Sequence, residues 1–163
     1  MRPTSVELLE RIAEALDQTV LPAVVEDKWA ASVVRSATTL LAHLAKRVPL
    51  EAPVLLADND DARGVLAAIA RRFAASGSKT GVVGEIEIAI VDDAPIDAYD
   101  VVALDARNTT YQSIMERLLR EYYRDSQSPG AAADMRRDLR HYFRRRMERE
   151  RDMYFPSFTG PPF

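Results

Sequence analysis

The sequence predicts an all-α fold: an antiparallel helical bundle of five or six helices with an irregular aromatic C-terminal tail, forming a single domain over residues 1–163 with its tail at 154–163. Three observations carry that expectation. Apolar residues recur at steps of three and four along most of the chain, the signature of one buried helix face. The one segment that alternates like a strand has no second strand to pair with. Clusters of Pro, Gly and Asp interrupt the periodic runs at intervals that suit helices.

Thr4-Ser5-Val6-Glu7 fits a capping box, in which the Thr4 hydroxyl accepts from the Glu7 N–H and the Glu7 carboxylate reaches back. Val6, Leu9, Ile12, Leu16 and Val20 then share a face. Pro22 offers no donor and disfavours helical geometry at Leu21, so this helix is expected to stop or kink there. After a short link comes the stretch that organises the prediction, Asp27 to Val48, with Asp27 as its cap. Trp29, Val33, Ala37, Leu40, Leu44 and Val48 fall within an arc of ~100°. This stretch carries the chain's single Trp and is expected to be the central core helix, with Trp29 and Leu40 buried and with Pro49 and Pro53 ending it.

Asp58-Asn59-Asp60-Asp61 offers N-caps for a further helix to about Ala75, with Val65, Leu66, Ile69 and Phe73 inward. The aspartates also resemble the start of a Ca²⁺ loop, but Gly64 comes one position late and no Glu closes it, so capping is the better account. Gly81 to Val91 alternates at Glu85–Ile90 yet also fits helical spacing. A lone strand would leave its backbone unpaired, which favours a short helix. A long helix is expected from Ile96 or Asp97 to Tyr123 or Arg124, with Asn108-Thr109-Thr110 as a weak spot. A last one begins near Ala131 with Met135, Leu139, Tyr142, Phe143 and Met147 at steps of three or four.

Composition excludes several functions. Cysteine is absent, so there is no disulfide framework, thiolate nucleophile or Cys-ligated zinc. No apolar run approaches a membrane span, and the opening residues lack the apolar core of a signal peptide, which points to a bacterial-type cytoplasmic protein. The net charge of −3 hides a segregation. Val54–Asp105 holds ten acids against four bases, and Arg136–Asp152 holds eight arginines against four acids. Internal complementarity accounts for this better than a nucleic-acid face does.

No motif specifies a chemistry. Neither Asp92-Asp93 nor SGSKTGVVGE, with Gly77, Gly81 and Gly84, forms a catalytic pair or phosphate loop, and His141 with Asp138 falls short of a metal site. No cofactor or metal is expected. His43 with Ser32, Ser36 and Thr39 makes a polar stripe beside the apolar face, the candidate ligand site. Tyr154, Phe155, Phe158 and Phe163 put four aromatics at the chain's end. A disordered tail is poor in such rings, so they are expected to fold back or to form an interface.

The runs LLERIAEAL, VLPAV and WAASVVRSATTLLAHLAKRV together resemble the opening of a family of small bacterial helical proteins of unknown function. There an N-terminal helix ends in Leu-Pro and an aromatic-led, Ala/Val-rich helix follows. The resemblance covers roughly the first 50 residues. Members tend to be encoded beside aminoglycoside-phosphotransferase-like and acyl-CoA-dehydrogenase-like proteins, so it implies a partner of that kind. The family's usual polar residues in the second helix are replaced by Ser32, Arg35 and Ser36, and no site residue carries over. The leading expectation is a non-enzymatic accessory or interaction module, acting on such a partner or as a homo-oligomer. A ligand-binding or enzymatic bundle with a pocket at His43 is the alternative. Nucleic-acid binding through the arginine-rich last helix is the third reading, and the acids around those arginines weigh against it.

Overall fold

The computed structural model describes residues 2–77, 81–91, 95–122 and 130–154. Among these residues every regular element is helical: α1 Ser5–Ala15, a π-turn Leu16–Val20, α2 Leu21–Val24, α3 Lys28–Ala75, α4 Gly81–Val91, α5 Val101–Tyr122 and α6 Ala131–Tyr154. None of them is long and apolar enough to cross a membrane. The fold is the all-α bundle the periodicities predict.

Local rules explain most boundaries. The capping box forms: the Glu7 N–H donates to Thr4 Oγ1 at 3.2 Å and the Thr4 N–H to Glu7 Oε2 at 2.7 Å. Pro22 does not stop the helix at once. A π-turn absorbs it, with the Leu21 N–H donating to the Leu16 carbonyl five residues back. Asp27 caps α3 through the N–H groups of Trp29 and Ala30. Gly77, at φ 73°, supplies the left-handed residue that ends α3. The 81–91 segment is helical, as the pairing argument favours. The long helix starts later than expected, because the Asp97 carboxylate bonds the Tyr99 N–H in a turn and Asp100 then caps α5 through the Ala103 N–H.

Two expectations for α3 are overturned. Pro49 and Pro53 do not end it; α3 runs unbroken for 48 residues. The prolines lie four apart with both rings exposed, and the bonds lost are those to the Ala45 and Pro49 carbonyls. Nor is the first half of α3 a core helix: Trp29 is 81% exposed and Leu40 63%. Its buried positions are the small ones, Ala31 and Ala45, while the stripe of large apolar residues faces outward.

The chain forms two compact units. Unit 1 holds residues 1–51 and 151–163, and unit 2 holds residues 52–150, so that the division falls between Pro49 and Pro53. Unit 2 contains a closed core built from Leu66, Ile69 and Phe73 on α3, Val83 and Ile86 on α4, Ile114, Met115 and Leu118 on α5, and Met135, Leu139 and Tyr142 on α6. Its cross-links give the helix directions. Along α3, Asp58, Asp61 and Arg72 meet Arg149, Arg145 and Asp138 of α6, a descending order that makes the two antiparallel. Asn108 meets Asn59 and the Phe73 ring meets Tyr122, so α5 runs parallel to α3. An ion pair between Arg117 and Glu85 ties α4 to α5. In unit 1 the buried described residues are Ala31, Ala45 and Met153, and α1 contributes none.

Candidate functional site

Unit 2 contains a buried polar network that the sequence did not single out. Asp58 is its centre, 2% exposed in the middle of α3, where it caps nothing. Its Oδ2 accepts from Asn108 Nδ2 at 2.7 Å and from the Tyr142 hydroxyl at 2.8 Å. Its Oδ1 accepts from Arg149 at 2.5 Å, and Arg146 Nε stands 3.8 Å from Oδ2. Gln112 donates to the Tyr142 hydroxyl. Asn108 also bonds Asn59 Oδ1, and Asn59 donates to the Leu104 carbonyl at 2.9 Å, so a polar chain crosses from α3 to α5 inside the core. One turn on, Asp61 takes two bonds from Arg145, at 2.7 and 3.0 Å, and one from Arg149 at 2.8 Å. The Arg149 guanidinium also lies over the Tyr142 ring, 5.9 Å from its centroid.

The electrostatics follow from this packing. Burial pushes the Asp61 carboxyl up, but hydrogen bonds and charge from Arg145 and Arg149 outweigh it and hold the group below the ordinary carboxylate range. Burial, followed by the charge of Asp58 and the hydrogen bond to it, pushes the Tyr142 hydroxyl well above the usual phenol range, so it remains a donor. Arg145 and Arg149, a like-charged i, i+4 pair that would be unfavourable alone, are placed together by the acids between them.

Such a network locks helices and is poorly suited to chemistry. A general base needs a free lone pair facing substrate, whereas both Asp58 oxygens are engaged and enclosed. The aspartate triplet is neither a Ca²⁺ loop nor a cap. On a continuous helix Asp58 and Asp61 face α6, while Asp60 points to solvent. Among the described residues no group of three or more His, Asp or Glu is arranged to hold a metal ion. Arg145 and Arg149 of the basic helix are neutralised from within the fold by Asp61 and Asp58 of α3, as internal complementarity requires.

The structure places the predicted site residues as follows. His43 and Thr39 are half-buried on α3, with Ser32 and Ser36 exposed beside them. The Thr39 hydroxyl donates to the Arg35 carbonyl of its own helix at 2.9 Å. Tyr154 ends α6; its side chain and Phe155, Phe158 and Phe163 lie outside the described residues, as do Asp92, Asp93 and Lys79.

What remains open is the apolar stripe of unit 1. Leu8 and Ile12 on α1, and Trp29, Val33, Leu40 and Leu44 on α3, are all exposed. The α3 members fall within the ~100° arc drawn from the sequence, so this is one continuous face. It borders the His43 stripe on the same helix. Large exposed apolar patches of this kind mark interaction sites on soluble proteins.

No protein-family profile matches this chain, and no curated protein or solved structure matches it.

Proposed function

We propose that this protein is a non-enzymatic helical docking module of the cytoplasm, which binds another protein through the exposed apolar stripe on the first half of α3. The observation that carries this reading is the exposure of Trp29 at 81% at the head of a continuous apolar arc. An exposed Trp flanked by aliphatic side chains is the composition of an interface hot spot. The polar core of unit 2 supports the same reading, since its carboxylates are spent on holding helices together. The resemblance of the opening residues suggests an aminoglycoside-phosphotransferase-like or acyl-CoA-dehydrogenase-like partner.

A photo-crosslinking residue placed at Val33 and expressed in a bacterial cytoplasm tests this. The expected result is a discrete cross-linked product that Trp29→Glu abolishes, with no such product from a probe at exposed Arg120 in unit 2. Equal labelling from both positions would sink the docking reading.

A further inference from the structure

We infer that residues 155–163 of this chain act as a strap for the apolar stripe, closing over Leu44 and Leu40 of α3 and competing there with the docking partner. This rests on the docking reading above and names its regulation.

Three observations select this segment. The first is direction. α6 runs antiparallel to α3, so the chain leaves α6 heading toward the N-terminal end of α3. The last turn of α6 belongs to unit 1 together with residues 1–51, and Met153 is buried there.

The second is the side of the helix. Asp58 faces α6. On the same unbroken helix Leu40 precedes Asp58 by eighteen residues. At about 3.6 residues per turn that is close to five whole turns, so both side chains leave one side of α3. Trp29, Val33 and Leu44 fall within ~40° of that line, whereas the buried Ala31 and Ala45 lie more than ~120° away. The stripe therefore continues the side of α3 that α6 follows.

The third is reach and composition. Continuing the register of the Asp58–Arg149 and Asp61–Arg145 pairs brings Tyr154 level with Ala52 or Pro53. Leu44 and Leu40 stand roughly 13 and 19 Å further back, at ~1.5 Å per residue. An extended, proline-rich run over 155–163 spans roughly 28 Å, enough for both and short of Trp29 at roughly 35 Å. The segment has no charged residue, and it carries Phe155, Phe158 and Phe163. Pro156, Pro161 and Pro162 have no N–H groups for an apolar face to leave unbonded. Being tethered, the tail competes at an effective concentration on the order of millimolar, which a second copy or a free partner must exceed.

Cross-linking on the full chain tests the inference. A photo-crosslinking residue at Leu44 should give a product linked to residues 155–163, located by peptide mass spectrometry. Its yield should not change on roughly tenfold dilution, the mark of a tethered contact. Phe155→Ser/Phe158→Ser should abolish it with helical circular dichroism retained. Ending the chain at Tyr154 should raise the yield of the Trp29-dependent Val33 product, since a strap closed about nine-tenths of the time weakens partner binding about tenfold. The strap is overturned if Leu44 gives no tail-linked product. It is also overturned if that product fades on dilution and forms between isotope-labelled and unlabelled chains, which assigns the tail to a second copy. In both cases docking stands as long as the Val33 product persists. An unchanged Val33 yield from the shortened chain overturns the competition. No Val33 product from either chain sinks the docking reading, and its regulation with it.

Discussion

Leu66 and Leu40 lie on the same unbroken helix, yet Leu66 is fully buried and Leu40 is 63% exposed. Their local sequence does not explain the difference, since each belongs to an amphipathic run with helical spacing. What differs is the number of layers around them. At Leu66, three other helices converge on α3 and close a core. In unit 1, α3 buries alanines and leaves its largest side chains outside. Amphipathicity reports that a face needs covering; it does not report whether the cover belongs to the same molecule.

The sharpest way to break the contrast is at the polar centre of unit 2. Asp58→Ala removes the acceptor of Arg149, Asn108 and Tyr142 at once. Cutting one partner from a buried ion pair typically costs about 3–5 kcal/mol; Arg149 keeps its bond to Asp61, so the loss should fall toward the lower end of that range. Urea melts at neutral pH should show a loss of that order. A loss below about 1 kcal/mol, the worth of an ordinary hydrogen bond, would mean that the network is solvated and unit 2 is less closed than described.

Asp61 gives a smaller, pH-dependent effect. Its folded carboxyl titrates below its unfolded value, so its contribution is fully present above the unfolded value, about 3.9, and is lost as pH falls through the folded one. Wild type should therefore exceed Asp61→Asn in stability at pH 7, with the gap closing in the acid range below that unfolded value. A gap that stayed constant down to low pH would show that the Arg145 and Arg149 contacts act through shape, with charge playing no part. The step should be modest, since Asp61 is only partly enclosed.

Much of this was legible in advance, for identifiable reasons. The Thr4–Glu7 box, the Asp27 cap and the stripe from Met135 to Tyr142 depend on neighbours three or four residues away, and local rules see that far. The helical state of 81–91 followed from asking where a strand's hydrogen bonds would go. Pro49 and Pro53 misled, because a proline's cost of about 3 kcal/mol in a helix interior can be offset where the helix beyond it is packed in a core, as α3 is in unit 2. The polar network was hidden because Asp58 and Asn108 lie 50 residues apart. Its one visible trace was the spacing: Asp58 and Asp61 three apart, Arg145 and Arg149 four apart, each awkward alone and complementary together. Nothing in the sequence marked Trp29 as exposed, since an intermolecular core and an intramolecular one use the same residues.

The smallest expected effect on the fold is also the most direct comparison of the two units. In a closed core, truncating leucine to alanine costs about 2–5 kcal/mol through lost burial and the cavity left behind, and Leu139→Ala in unit 2 should behave that way. Leu40→Ala should not. Its side chain is already largely in water, so within one chain there is little burial to lose and no cavity to create, and the change should stay within about 0.5 kcal/mol. The tail adds a condition. A strap over Leu40 adds burial, so the loss then exceeds that figure in the full chain and falls back to it in a chain ending at Tyr154. Leu139→Ala carries no such dependence. Melts of both variants in the full and shortened chains separate the cases. A large loss for Leu40→Ala in both chains would return Leu40 to a helical core and erase the distinction between the two halves of α3.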